Sequence, residues 1–269
     1  MESMRDKVAV ITGGTQGLGA AIALEMAREA ASGLVICGRD RDKGQAQAAR
    51  IRTATGCDVT FVAADLGDVA ACRHIIAATD ERYGRVDCLV NSAALTDRGS
   101  ILDTSPDLFD RIFAVNVRAP FFLMQDAIRL MKRDDRRGTI VNVCSMSAVA
   151  GQSFLAAYSA SKGALATLTR NVAFSVMRNR IRVNAISPGW MASDGEDQIM
   201  RRFHGATDGW QERAGQALPF GRLLSPEDVA RAVVFLAGEQ SGLMTGSVVD
   251  YDQSVHGGYD VAPVPSEKL

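Results

Sequence analysis

Cysteine and histidine are scarce in this chain of 269 residues, and their arrangement excludes several classes of site. The five cysteines are odd in number and include no C-x-x-C pair. Cys37, Cys88 and Cys144 lie in apolar runs, which predicts buried free thiols and a cytoplasmic protein. The three histidines are scattered without metal-ligand spacing, so we predict no metal site.

Neither an excess of one charge nor a long apolar run is present. The net charge is −1 with both signs mixed along the chain, which indicates neither a nucleic-acid partner nor an anionic membrane surface. No apolar run approaches the length of a membrane span, and the first residues lack the apolar stretch of a signal peptide. We therefore expect a small-molecule substrate as the partner, with no nucleic acid and no membrane.

What the chain has instead is a regular alternation of short apolar runs and helical patterns. Seven runs predict strands: Lys7–Thr12, Gly33–Cys37, Asp58–Ala63, Val86–Asn91, Thr139–Cys144, Ile181–Ile186 and Thr245–Asp250. Helical patterns separate them, and there are no repeats or low-complexity linkers. This predicts an α/β fold, a doubly wound Rossmann-type parallel seven-stranded sheet with helices on both faces, in a single domain over residues 1–269.

Two irregular stretches interrupt this alternation. A long helix is predicted over Pro106–Met131, with a kink or interruption at Pro120. Residues 190–218 contain no clear strand, which predicts a mobile lid over a site, although a surface insertion is the alternative. Together with the loop Leu95–Asp103, this lid is expected to shape a pocket. Four side chains are candidates to line this pocket, and packing against the body of the protein is the alternative for each: Met191, Phe203, His204 and Trp210. We expect the tail from His256 onward to be loosely ordered.

A glycine-rich turn, Gly13–Gly19, follows the first strand and precedes a helix. Glycines there let a backbone approach a pyrophosphate, which a helix N-terminus favours. A plain tight turn is the alternative. Arg39 ends the second strand, where a dinucleotide fold reads the adenosine ribose, and an arginine there can bind a 2′-phosphate. A solvated loop arginine is its alternative, and Asp40 is either the acid that reads the ribose or a helix N-cap.

Tyr158 and Lys162 are four residues apart, so on a helix both side chains leave the same face. An ammonium close to a phenol favours the phenolate, which would lower the tyrosine pKa and produce a general acid/base. Ser145 follows the predicted fifth strand and presents a hydroxyl near the start of that helix. An ordinary surface pair is the alternative interpretation of Tyr158 and Lys162.

Taken together, these features resemble the short-chain dehydrogenase/reductase family over nearly the whole chain, from Lys7 to Asp250. The cofactor turn is Thr12-Gly13-x-x-x-Gly17-x-Gly19, the adenine-contacting pair is Asp65-Leu66, and the catalytic tetrad is Asn116, Ser145, Tyr158 and Lys162. The cofactor-binding residues that the resemblance implies are Gly13, Thr15, Gln16, Gly17, Leu18, Gly19, Arg39, Asp65, Leu66, Asn91, Ala93, Tyr158, Lys162, Pro188, Gly189 and Ser193.

The resemblance implies hydride transfer between a nicotinamide cofactor and a carbonyl or secondary alcohol. It implies that Tyr158 is the proton donor, that Ser145 binds the substrate oxygen, and that Lys162 lowers the pKa of Tyr158 and holds the nicotinamide ribose. It further implies that Asn116 holds a water linked to Lys162, and that the protein is a homo-oligomer, usually a tetramer. Two segments depart from the family pattern: Ala94 replaces a glycine, and Tyr251-Asp252 follow Asp250 in place of two glycines.

Arg39 favours NADP as the cofactor, and NAD is the alternative. The substrate alternatives are a sugar, a polyol or a 3-oxoacyl compound. A non-catalytic dinucleotide-binding scaffold is the alternative to an enzyme, although the intact tetrad argues against it.

Overall fold

A computed structural model describes residues 3–258 and contains the predicted parallel sheet. Its seven strands are ordered β3-β2-β1-β4-β5-β6-β7, and every neighbouring pair is parallel. The strands are β1 (Val8–Thr12), β2 (Gly33–Gly38), β3 (Asp58–Ala63), β4 (Cys88–Asn91), β5 (Thr139–Val143), β6 (Arg182–Pro188) and β7 (Val248–Tyr251). The predicted fold class is therefore confirmed.

Nine α-helices lie within residues 3–258. They are α1 (Gly17–Arg28), α2 (Arg41–Thr55), α3 (Val69–Tyr83), α4 (Pro106–Phe113), α5 (Ala119–Arg133), α6 (Ala156–Val176), α7 (Asp194–His204), α8 (Trp210–Gln216) and α9 (Pro226–Ala237). Local sequence fixes several of their ends. Gly56 and Gly84 end α2 and α3 in the left-handed conformation, and Ser225 with Asp228 forms a capping box at the start of α9.

Helices cover both faces of the sheet, which explains why strands β1, β4 and β5 are buried at every position. In β1, Ala9 and Ile11 belong to one buried cluster, together with Ile22 of α1 and Val233 of α9. Val10, between them, belongs to the opposite cluster, together with residues of α3 and α5. Because successive strand residues point to opposite faces, a strand buried on both sides has no polar face.

The predicted helical stretch over residues 106–131, with an interruption at Pro120, is present, and its α-helix is interrupted just before that residue. Two helices, α4 and α5, are joined by a π-helical segment, Ala114–Arg118, and the chain continues in α5 to Arg133. Pro120 lies in the first turn of α5, directly after the π-helical segment, so the change of helix type falls where the proline removes an N–H donor from the helix. Asn116 lies in the π-helical segment, and such segments often occur at functional sites.

The stretch 190–218 contains helices α7 and α8, which its sequence did not reveal. Most of the predicted loose tail, residues 259–269, lies outside the described residues. The strand order reverses between β1 and β4, and in a doubly wound fold a ligand crevice opens at this point, beyond the carboxyl ends of the strands. Thr12 joins the two strand ends there: its hydroxyl oxygen accepts hydrogen bonds from the N–H groups of Ser92 (3.0 Å) and Ala93 (3.1 Å).

Candidate active site

A cleft of about 2010 Å³ opens at this crevice and runs from Arg39 at one end to α7 at the other. It is lined by every residue predicted for the site except Asn91 and Asn116. Predicted residues from six separate strand ends therefore share one cavity. The sequence had placed them at intervals along more than half of the chain.

The glycine turn forms a floor of bare backbone in the cleft. Gly13 and Gly17 have positive φ angles of 67° and 52°, which L side chains rarely adopt. A Cβ atom at Gly19 would lie 2.3 Å from the carbonyl oxygen of Gly13, so the turn closes tightly onto α1. Gln16 precedes α1 without capping it by a side-chain hydrogen bond, so no side chain blocks the helix N-terminus. This cradle fits a pyrophosphate.

The end of the cleft beyond β2 carries two basic side chains, Arg39 and Lys43. Arg39 makes no hydrogen bond or ion pair with any residue in 3–258, so its guanidinium is available to a ligand. Asp40 is the N-cap of α2, since its carboxylate accepts a hydrogen bond from the N–H of Lys43 at 3.0 Å. Lys43 also lines the cleft. It was missed from sequence, although its place one turn into α2 after Arg39 was a usable signal.

Asn91 lies behind the cleft wall and not in it. Its Nδ2 donates to Oδ1 of Asn142 at 2.8 Å, and Nδ2 of Asn142 donates to Oγ1 of Thr169 at 2.9 Å, which joins β4, β5 and α6 inside the protein. The next residue, Ser92, does line the cleft, and its buried Oγ has no partner in the described structure. A buried hydroxyl without a partner beside the glycine cradle also fits a bound polar ligand.

Tyr158, Lys162 and Ser145 meet near the middle of the cleft. Tyr158 and Lys162 lie one turn apart on α6, with Nζ 5.7 Å from the centre of the tyrosine ring. Only 2% of Lys162 is exposed, and its Nζ donates to the carbonyl oxygen of Val143 at 2.7 Å. Ser145 follows β5, and its Oγ accepts from the N–H of Ser147 at 3.1 Å. The surface-pair alternative is therefore wrong.

Burial controls the pKa of Tyr158, and the expected lowering by Lys162 is not among the main influences on it. Burial raises the pKa of Tyr158 to about 12, and a hydrogen bond with the Ser145 side chain only partly opposes this effect. Burial also lowers the pKa of Lys162, to about 8. Desolvation dominates both groups because it disfavours each charged form, the phenolate and the ammonium alike.

Asn116 acts behind the cleft. Its Oδ1 accepts from the N–H of Leu95 at 2.8 Å, and its Nδ2 donates to the Leu95 carbonyl oxygen and to Oγ of Ser161, each at 3.0 Å. Both N–H bonds of its amide are thus used, so only Oδ1 keeps capacity to accept a bond from water. In the structure, its side chain fixes the loop after β4 against α6.

The far end of the cleft is polar and aromatic, and sequence reasoning missed its central residues. Arg98 and Glu196 face each other there at 3.6 Å, between the loop after β4 and helix α7. The guanidinium of Arg98 lies over the ring of Phe154, 5.5 Å from its centre. The sequence pointed towards Arg98 only through the prediction that the loop 95–103 shapes the pocket. Of the four side chains suggested for the pocket, Met191 and His204 line the cleft, whereas Phe203 and Trp210 do not.

Aromatic and polar contacts hold the 190–218 segment over this end. Trp190 stacks on buried Trp210 at 5.7 Å, and Nε1 of Trp210 donates to Asp197 of α7 at 2.7 Å. Gln253, beyond β7, accepts from the N–H of Phe220 at 2.8 Å and donates to the Arg222 carbonyl oxygen at 2.6 Å. The segment that departs from the family pattern after Asp250 therefore binds the chain just past α8.

Within residues 3–258, no set of three or more His, Cys, Asp or Glu side chains is arranged to hold a metal ion. In the same part of the chain, no helix has both the length and the apolar character needed to cross a membrane.

Comparisons with known proteins agree with this geometry. A family model described as enoyl-(acyl carrier protein) reductase matches residues 13–258. The chain is 33% identical over 250 residues to a sorbitol dehydrogenase from Cereibacter sphaeroides, which covers 91% of this chain and 96% of that protein. It is 31% identical over 255 residues to a galactitol 2-dehydrogenase from Agrobacterium fabrum, covering 93% and 97% of the two chains.

Among solved structures, L-sorbose reductase from Gluconobacter frateurii, complexed with NADPH and L-sorbose, superposes with a TM-score of 0.89. The two chains are 26% identical, and the match covers 96% of this chain and 100% of the reductase. The likeness therefore extends over the whole cleft.

The buried ammonium of Lys162 leads to a prediction about stability. We expect Lys162→Met to raise the unfolding free energy of the ligand-free protein at pH 7 by about 1–3 kcal/mol, because the variant removes a desolvated charge whose pKa falls from 10.5 to about 8. Since the penalty on the wild type is complete below pH 8 and fades by about pH 10.5, the gain should shrink between those values. Denaturant unfolding at pH 7 and pH 10 measures it.

Lys132→Met, at an exposed position in the last turn of α5, is the matched control and should change stability little at either pH. If Lys162→Met were less stable than the wild type at pH 7, and by the same margin at pH 10, the ammonium would not be under strain from burial.

Proposed function

The chain belongs to the short-chain dehydrogenase/reductase family, and on that premise we propose that it is an NADP-preferring enzyme that interconverts a ketose and its polyol. As a member of the family, it is a nicotinamide-dependent oxidoreductase that acts on carbonyl or secondary alcohol groups. The observation that carries the proposal is the convergence of Tyr158, Ser145 and Lys162 in one cleft with the glycine cradle.

The residues of the cleft fit a dinucleotide along its length. The cradle and the N-terminus of α1 would hold the pyrophosphate, Asp65 and Leu66 the adenine, and Pro188, Gly189 and Ser193 the nicotinamide side. Lys162 uses one N–H for Val143, so it has two left for ribose hydroxyls. The bound cofactor supplies or accepts the hydride.

Tyr158 is proposed as the general acid for carbonyl reduction. Its pKa of about 12 keeps the phenol protonated at neutral pH, so it can donate a proton to the carbonyl oxygen of the substrate. Ser145, which shares a hydrogen bond with Tyr158, would donate to the same oxygen and stabilise the charge that develops there. In the direction of alcohol oxidation, the phenolate is the form required, and it is rare at neutral pH.

NADP is favoured by the two basic side chains at the adenosine end. Arg39 is free to pair with a 2′-phosphate, Lys43 lies beside it on the cleft wall, and Asp40 is engaged as a helix cap. This supports NADP over the alternative cofactor NAD. The L-sorbose reductase that superposes on the chain is complexed with NADPH.

The polar far end of the cleft supports a sugar or polyol as substrate. Arg98, Glu196 and His204 offer donors and an acceptor for hydroxyl groups, beside the aromatic rings of Phe154 and Trp190. The relatives named above act on sorbitol, galactitol and L-sorbose. We propose residues 190–218 as the lid of this site, in one domain with the sheet.

We predict that Tyr158→Phe lowers kcat by about 10²–10⁴-fold while NADPH still binds, because the variant removes only the transferable proton.

In the wild type, the rate of alcohol oxidation should rise with pH from 7 to 10, since oxidation needs the phenolate and the pKa of Tyr158 is high. Reduced-nicotinamide absorbance follows both directions, and fluorescence titration follows NADPH binding.

Tyr83→Phe is the control, because that hydroxyl lies against Thr60 and Leu34, away from the cleft, and its loss should leave turnover near the wild-type rate. A near-native rate in Tyr158→Phe would instead remove Tyr158 from its proposed role, whereas a wild type that binds NADPH without any turnover would favour the scaffold alternative.

We expect Arg39→Ala to weaken NADPH binding by roughly 10- to 100-fold and NADH binding by a few-fold at most, since a hydrogen-bonded charge pair contributes about 1.5–3 kcal/mol. Dissociation constants for both cofactors measure the effect. Arg41→Ala, two residues away at the start of α2 and outside the cleft wall, should change neither constant. Equal losses for NADPH and NADH in Arg39→Ala would argue against the phosphate-binding role.

A homotetramer and a cytoplasmic location are further parts of this proposal. Exposed apolar side chains on α4, α5 and α6 support an oligomer, among them Phe109, Phe121 and Phe174, of which Phe174 is 76% exposed. Light scattering should give four times the chain mass of 28.7 kDa. Phe121→Asp combined with Phe174→Asp should lower that mass, and a wild-type mass of a single chain would exclude the tetramer.

A further inference from the structure

An ion pair spans the end of the cleft farthest from the glycine cradle. Arg98 comes from the loop after β4, and Glu196 comes from the first turns of α7. Their side chains are 12% and 22% exposed, so both charges are largely removed from solvent. Both line the same cleft as Tyr158, and Glu196 raises the pKa of that phenol whereas Arg98 lowers it. Whatever binds against Tyr158 therefore meets this pair.

Arg98 is fixed to the rigid part of the protein. Gly99, the next residue, donates its N–H to the carbonyl oxygen of Phe154 at 2.9 Å and accepts from the N–H of Ala156 at 3.1 Å, which joins the loop to the start of α6. The Arg98 guanidinium donates to the Thr96 carbonyl oxygen at 3.1 Å and to Nε2 of His204 at 3.4 Å. These contacts leave some of its five N–H bonds available to a substrate.

Glu196 is held equally firmly from the lid side. Its N–H donates to Oγ of Ser193 at 3.2 Å, and its Oε1 accepts from Nε1 of Trp190 at 3.0 Å. Trp190 and Arg98 both contact Oε1 of Glu196. Within residues 3–258, no hydrogen bond is made to the other carboxylate oxygen, Oε2. The carboxylate therefore offers an acceptor towards the cleft, beside the donors of Arg98.

The balance of charge at this end decides which substrates it favours. The positive charge of Arg98 is already neutralised by Glu196, so an incoming carboxylate would be attracted to Arg98 and repelled by Glu196 at nearly the same distance. A hydroxyl group, by contrast, can donate to Glu196 and accept from Arg98 at once. Like charges brought together in a site shielded from water are strongly unfavourable, whereas paired hydroxyl contacts are not.

We propose that Arg98 and Glu196 form a specificity site for a neutral polyhydroxy substrate, in which Glu196 excludes analogues that carry a carboxylate. This proposal rests on the proposed function, since it assigns the substrate preference of the same cleft. The two residues bind hydroxyl groups remote from the reacting carbon and do not transfer a proton or hydride.

The test compares a neutral ketose, L-sorbose, with an anionic analogue, 5-keto-D-gluconate. We expect Glu196→Gln to shift the ratio of kcat/KM for the two substrates towards the acid by on the order of tenfold, because the amide retains a hydrogen-bonding oxygen and loses the charge. Glu212→Gln is the matched control: it removes the same charge from exposed α8, outside the cleft, and should leave the ratio unchanged.

Arg98→Met should have the complementary effect. It should raise KM for L-sorbose more than it lowers kcat, because the variant removes donors to remote hydroxyls. The control is Arg202→Met, which changes an exposed arginine on α7 outside the cleft and should raise KM little.

A binding readout is independent of turnover. Sorbitol added to the NADP⁺ complex of Tyr158→Phe should change tryptophan fluorescence, since Trp190 contacts Glu196, and Glu196→Gln should weaken that binding.

The outcomes separate this proposal from the proposed function. If Glu196→Gln slowed both substrates equally and left their ratio unchanged, the pair would be only a latch for the lid and the specificity role would be overturned. If the wild type preferred 5-keto-D-gluconate to L-sorbose, the exclusion of acids would likewise be overturned, while the hydride-transfer activity would stand. If no ketose or keto acid reacted and sorbitol did not bind, the proposed ketose and polyol function would fail first.

Discussion

The hydrogen bond from the ammonium of Lys162 to the carbonyl oxygen of Val143 is the interaction on which the centre of this protein depends. A lysine that is 2% exposed is costly, because its charge has left water, and burial accordingly lowers its pKa to about 8. The bond fixes α6 against the end of β5, so Tyr158 and Ser145, which belong to those two elements, meet at one point. The chain tolerates a strained charge there because its remaining N–H bonds face a cleft that a polar ligand can fill.

One wall of the cleft is rigid and consists of strand ends, and the other wall belongs to the segment 190–218. The rigid wall consists of strand ends tied together in the interior: Thr12 joins β1 to β4, and the buried amides of Asn91 and Asn142 join β4 to β5 and α6. The other wall is α7 with its flanking residues, held by the stacked pair Trp190 and Trp210. Tyr158, Lys162 and Ser145, which we propose to carry the chemistry, lie on the rigid wall, whereas Glu196, which we propose to select the substrate, lies on the other. A family with one reaction and many substrates is expected to divide its site in this way.

Much of the fold could be predicted because its signals are local. Apolar runs of five or six residues separated by helical patterns predict a parallel sheet, and the glycine turn between a strand and a helix predicts the cradle. Pro120 likewise predicted an interruption in the helical stretch over 106–131. The form of that interruption, the π-helical segment Ala114–Arg118, was not predicted because the segment has no distinctive composition. Helices α7 and α8 were missed because their sequence is rich in glycine and charge, and contacts such as that between Trp210 and Asp197 stabilise them.

By itself, the sequence determined the order of the elements and the likeness to a family, and it predicted the residues of a tetrad, since each depends on residue types at fixed spacing. Only the tertiary structure decided how those groups behave. It decided that burial, and not the neighbouring ammonium, controls the pKa of Tyr158, because desolvation depends on everything packed around the phenol. It decided that both N–H bonds of the Asn116 amide are used, and it brought Arg98 to within 3.6 Å of Glu196 from a distant part of the chain. Packing creates contacts between remote segments, and no spacing along the chain encodes them.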